Sequence, residues 1–184
     1  MADREPLVDS PLAEKDYTQT VVIAMDGSEF SDYALQFYAD CLHRPENNVW
    51  LVHVTEYKII SQPALAIMSG STDMSLITKE IEAEEKKTTE LFDHLKQKIS
   101  FLKLNAHIES VHGDVGPSII TFASEKNADF VVVGCRGKGK IRRTFTGSVA
   151  DYITHHSHVP VVIARNSDHL EKLHIHSPFK LKKQ

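Results

Sequence analysis

Three consecutive β-branched residues, Val131, Val132 and Val133, run directly into Gly134. A short, continuous apolar run of this kind suits a strand buried on both faces, which is characteristic of parallel sheets covered by helices on either side. Gly134, Gly137 and Gly139 follow within six residues, so the backbone can turn sharply and approach a ligand closely. Five cations then fall within eight residues: Arg136, Lys138, Lys140, Arg142 and Arg143. Gly147 and Ser148 open an apparent helix, Ser148-Val-Ala-Asp-Tyr-Ile-Thr. Unpaired N–H groups and the positive dipole end at such a helix start attract anions. Strand, glycine turn, basic loop and helix N-terminus together read as a phosphate cradle.

Two familiar phosphate loops do not fit it. Gly134, Gly139 and Lys140 satisfy G-x-x-x-x-G-K, but Ile141 stands where that motif needs a magnesium-binding hydroxyl. G-x-G-x-x-G fails at Arg142.

The rest of the chain supplies the same units in series. Strands are expected at Thr20 to Met25, Asn48 to Thr55, Asn105 to His112, Phe130 to Val133 and Val159 to Ala164. Helices are expected from Ser28 or Ser31 to about His43, from Met74 to Leu102, from Pro117 as first helical residue to about Lys126, and from Ser148 to about Ser157. Five strands alternating with four helices predict an α/β fold, a doubly wound parallel sheet with helices on both faces. Ligands bind such sheets outside the carboxyl ends of the strands, where the strand order reverses. The segment 57–73 holds Pro63 and Gly70 and is long enough for a lid or interface role. Residues 1–18 read as a flexible arm, 19–165 as one domain, and 166–184 as a tail rich in His and Lys.

Composition narrows the function classes. A net charge of −4 argues against a general nucleic-acid binder and makes the basic loop a local feature. No apolar run reaches the roughly 18 residues of a membrane helix, and no signal peptide is visible. Cys41 and Cys135 form no disulfide framework, so a reducing compartment, the cytoplasm, is expected.

Gly134-x2-Gly137-x9-Gly147-Ser148 resembles the ATP-binding signature of the universal stress protein family. Val-Val-Ile-Ala-Met-Asp26-Gly-Ser28, His53-Val54, Gly113-Asp-Val-Gly116-Pro117 and His158-Val-Pro160-Val-Val-Ile163 agree with it in order, over about residues 19 to 165. The resemblance implies a Rossmann-like sheet of order 3-2-1-4-5, which brings Asp26 and the Gly134 loop across one crevice.

It also implies roles. Asp26 would accept hydrogen bonds from ribose hydroxyls, the alternative being a turn or helix-capping Asp. Val54 would offer its backbone to the adenine edge, with Ala24 and Met25 lining the same wall, unless all three are plain core residues. Gly134 and Gly137 would bring backbone N–H groups to the phosphates, or be a bare turn. Gly147, Ser148 and Val149 would supply helix-terminal N–H groups, Ser148 adding a hydroxyl or serving as N-cap. Arg136 and Lys138 are the better candidates for neutralising a triphosphate, against the alternative of solvated loop cations. Cys135 is either a redox-sensitive thiol or inert filler. His155, His156 and His158 lack a completing Cys or carboxylate cluster, so a helix end accounts for them better than a metal site.

Nothing in the sequence resembles a dedicated hydrolytic apparatus. The expectation is a nucleotide-dependent stress-response or signalling module holding ATP with Mg2+, at most a slow ATPase. The alternatives are a nucleotide-free interaction module and a related adenine-nucleotide hydrolase or transferase. The resemblance further implies a homodimer paired through the last strand, Val159 to Ile163, whose alternating apolar residues would otherwise leave an exposed edge.

Overall fold

The computed structural model describes residues 18–56, 74–137 and 147–165. Nine elements alternate along it: β1 (Thr20–Ala24), α1 (Glu29–Cys41), β2 (Asn48–Thr55), α2 (Met74–Leu102), β3 (Ala106–His112), α3 (Val115–Glu125), β4 (Phe130–Gly134), α4 (Ser148–His156) and β5 (Val161–Ala164). All strand pairs are parallel, in the order β3-β2-β1-β4-β5. The expected doubly wound architecture and strand order are both present.

Strand side chains alternate between two cores, which is why the strands read as unbroken apolar runs. Val21, Ile23, Val49, Leu51 and Val132 pack with Ala34, Leu35 and Tyr38 of α1 and Leu95 of α2. Val22, Val52, Val131 and Val133 face the other way, onto Ile119 and Phe122 of α3 and Ala150 and Ile153 of α4. Removing each of these valines from water is worth about 1.5–3 kcal/mol. The sheet is thereby fixed from both sides.

Helix α1 starts at an N-cap Ser28, whose hydroxyl accepts from the Ser31 N–H at 3.3 Å. Ser31 is itself inside the helix and donates its hydroxyl to the Ser28 carbonyl at 3.0 Å. The helix closes two residues before His43, because the N–H groups of Leu42 and His43 both return to the Tyr38 carbonyl.

Two expected boundaries move for identifiable reasons. Helix α3 begins at Val115, so Pro117 is its third residue rather than its first. The N–H that proline lacks is still among the unpaired donors of the first turn, so the position is tolerated. Strand β5 begins at Val161, two residues later than expected. Pro160 gives the ladder only its carbonyl, which accepts from the Val131 N–H at 2.9 Å. Apart from the C-terminus of α1, described above, the remaining ends agree within a residue, the usual scatter of frayed termini.

Among the described residues, no helix is long and apolar enough to cross a membrane. Residues 1–17 of the arm, the segment 57–73, the whole tail 166–184, and the loop cations Lys138, Lys140, Arg142 and Arg143 lie outside the described residues.

Candidate nucleotide site at the carboxyl edge of the sheet

Strand β1 pairs with β2 on one side and β4 on the other, so the strand order reverses between β1 and β4. The segments that leave these two strands meet there. From β1, Met25 continues the ladder by donating to the Val52 carbonyl at 2.8 Å. Its own carbonyl lies 2.8 Å from His53 Nδ1, which fixes the ring with Nδ1–H donating. Asp26 then turns the chain: Oδ1 accepts from the Ser28 N–H at 2.9 Å across Gly27, whose φ of 72° is readily available to glycine. The turn role considered for Asp26 is therefore present, and a carboxylate retains capacity for further acceptance.

From β4, the chain passes Gly134, Cys135 and Arg136 to Gly137. The Cys135 N–H donates to the Ala164 carbonyl at 3.0 Å, and its carbonyl accepts from the Gly147 N–H at 2.8 Å. The second bond ties the outgoing loop to the start of α4. Gly147 is the N-cap, so Ser148 is the first helical residue and not the cap, contrary to one of its expected roles. Cys135 is buried within this backbone framework, the packing role considered for it.

Gly137 is where the halves touch. A β-carbon at residue 137 would lie 2.7 Å from Asp26 Oδ2. Asp26, Gly137 and the start of α4 thus surround one crevice, as the expected strand order requires. Gly134 is different, because a β-carbon there would lie 2.7 Å from the Phe30 backbone of α1. Its lack of a side chain serves packing.

The crevice opens into a cavity of about 1170 Å3, above the usual range for small-molecule sites of about 300–1,000 Å3. Of the residues expected from sequence, Ala24, Met25, Asp26, Val54, Gly134, Arg136, Gly137, Gly147, Ser148 and Val149 all line it. Val54 is half-buried and Met25 buried, so each also packs in the core. Lys138 lies outside the described residues.

Several lining residues were not expected. His53 appeared only within a motif, yet the residue forms part of the wall. Helix α2 contributes Glu80, Ala83, Glu84 and Lys87, and α3 contributes Val115 and Ile119. The charged middle of α2 was visible as composition, but nothing in the sequence placed it over the crevice. Lys87 Nζ donates to Glu84 Oε2 at 2.7 Å, and that bond raises the amine above its ordinary range.

The three histidines near the end of α4 stand apart from the cavity wall. His156 Nδ1 lies 2.8 Å from the Tyr152 carbonyl in the last turn, and its ring stacks on Tyr152 at 4.1 Å. His155 lies 3.7 Å from Asp151 one turn back. Both complement a helix C-terminus. Among the described residues, no group of three or more His, Cys, Asp or Glu is placed to hold a metal ion.

Comparison with known proteins agrees with this architecture. Universal stress protein MJ0531 of Methanocaldococcus jannaschii is 27% identical over 148 residues, covering 79% of this chain and 81% of its own. The solved structure of universal stress protein UspA from Lactobacillus plantarum superposes with a TM-score of 0.66 at 20% identity, covering 82% of this chain and 99% of that one. A family protein from Arabidopsis thaliana, solved with AMP bound, gives a TM-score of 0.57 at 20% identity, over 82% of this chain and 94% of that one. Residues 18–165 match the family model described as Universal stress protein family, and the chain belongs to that family.

Proposed function

We propose that the cavity binds an adenine nucleotide, ATP with Mg2+, and that the protein is a nucleotide-dependent stress-response or signalling module. The observation that carries this reading is the apposition of Gly137 to the Asp26 carboxylate beside the α4 N-terminus. A β-carbon would fill that gap, so the bare backbone leaves room for a ligand that spans a ribose acceptor and an anion site. Asp26 would take ribose hydroxyls and Val54 the adenine edge, with Ala24 and Met25 beside it. Gly134, Gly137, Gly147, Ser148 and Val149 would offer N–H groups to the phosphates, and Arg136 with Lys138 their positive charge. The AMP held by the Arabidopsis protein is the ligand class that supports this direction. Magnesium would enter on the phosphates, which supply its hard oxygen ligands. Hydrolysis would be slow, since Asp26 is committed to the Ser28 N–H and ribose rather than to activating water.

Calorimetric titration with Mg-ATP tests the assignment. One nucleotide per folded chain, lost in Asp26→Ala and in Gly137→Val, is the expected result. Full binding by both variants would overturn it.

A second element of the proposal is a homodimer paired through β5. This strand ends the described sheet, and Val161, Val162 and Ile163 on it are only half-buried. A second copy would cover that edge. Sedimentation of the full chain should give a dimer; a monomer at high concentration would leave nucleotide binding as the sole surviving element.

A further inference from the structure

Glu80, Ala83, Glu84 and Lys87 line the cavity from one face of α2, at spacings of three, four and seven residues. The helix has 29 residues and β2 has 8, about 43 Å against about 26 Å, so its first half overhangs the carboxyl edge of the sheet. The second half is pinned to α1, where Asp32 Oδ2 meets Lys98 Nζ at 2.7 Å and His94 Nε2 at 3.2 Å. This overhang is a wall of the crevice, anchored from below.

The charge on the described wall is uneven. Asp26, Glu56, Glu80, Glu84 and Asp151 are carboxylates, whereas Lys87 and Arg136 are the cations. Glu84 beside an incoming phosphate is repulsive unless a cation stands between them. Lys87 already holds Glu84 at 2.7 Å, with a side chain 65% exposed and therefore able to swing. An ammonium carries three donors on a flexible stem, so one can stay on Glu84 while another reaches a phosphate oxygen. Such an exposed pair contributes little by itself, and re-aiming it costs correspondingly little.

We propose that Lys87 is a phosphate-contacting residue of the cavity, kept in place by Glu84 and recruited by the anionic part of the ligand. This rests on the nucleotide reading above and adds a group from a helix outside the glycine signature. Lys86 is the internal control: it is the adjacent cation, 79% exposed, 4.0 Å from Glu90, and no part of the wall.

The test compares Mg-ATP with adenosine, titrated calorimetrically into the full chain and its variants. Lys87→Ala should weaken Mg-ATP roughly five- to tenfold, the loss of one partly screened charge-assisted contact, and leave adenosine unchanged. Lys86→Ala should change neither. Equal losses for Mg-ATP and adenosine in Lys87→Ala, or equal losses in the two lysine variants, would overturn the proposal alone. Failure of the wild-type protein to bind either ligand would overturn the nucleotide reading and this proposal with it.

Discussion

Gly134 places its α-carbon against the peptide of Phe30, such that a β-carbon would sit 2.7 Å from both the carbonyl carbon and the oxygen. Backbone cannot swing aside as a side-chain tip can. Gly134→Ala must shift β4 against α1, an overpacking that costs about 1–3 kcal/mol. Urea unfolding should show this loss. At Gly137 the corresponding neighbour is a single carboxylate oxygen in a half-buried turn. Gly137→Ala should therefore stay within about 0.5 kcal/mol of wild type and weaken nucleotide binding instead. The reverse pattern would exchange the roles given to these two glycines.

Tyr38 makes stability pH-dependent at the opposite end of the sheet. Its ring is fully buried, and the hydroxyl accepts from Asn47 Nδ2 at 3.0 Å. Burial pushes the phenol above its ordinary value of 10.0, and the Asn47 donation offsets this in part. Because the folded state holds the proton more tightly, this contribution is complete below the unfolded value and fades as pH rises through the folded one. Wild-type urea midpoints should thus fall above about pH 10 more steeply than those of Tyr38→Phe. At neutral pH the same variant should be less stable by about 1–3 kcal/mol, because it strands the buried Asn47 amide. Parallel alkaline slopes would remove Tyr38 as the source.

Much of this architecture was legible because the signals are local. Val131 to Val133 announces a strand buried on both faces, and the Asp26 turn and the glycines after β4 mark where the chain approaches itself. The strand order was not legible from periodicity; the family resemblance carried it. Distant packing left no trace in the sequence. Gly116 looks like part of a loop motif, yet a β-carbon there would run into the Tyr152 ring of α4. The role of Gly134 depends on where Phe30 lies. The charges from Lys79 to Lys87 point around the whole helix, so only the tertiary path of α2 selects the four residues that face the cavity.

Asp32 offers a direct measure of how firmly α2 is held. One oxygen serves both Lys98 and His94 across the helix pair. These groups are partly exposed, so Asp32→Ala should cost about 0.5–1.5 kcal/mol at low salt, discounted for screening. The difference from wild type should narrow as salt approaches about 1 M. A loss that does not change with salt would mean that the carboxylate acts through packing rather than charge.

Trp50 is the single tryptophan of the chain, and its ring carries a cation. Lys126 Nζ lies 3.8 Å from the ring centroid and 2.9 Å from Glu109 Oε2. His107 stacks on the same indole at 4.4 Å. Lys126→Met keeps the apolar stem and removes the charge, so it isolates the cation–π and ion-pair part of the contact. The variant should be destabilised by about 0.5–1 kcal/mol, with a shifted tryptophan emission in the folded state. Glu109→Gln should leave that emission close to wild type, because the ammonium remains over the ring. Identical emission in wild type and Lys126→Met would show that the cation does not sit on Trp50 in solution.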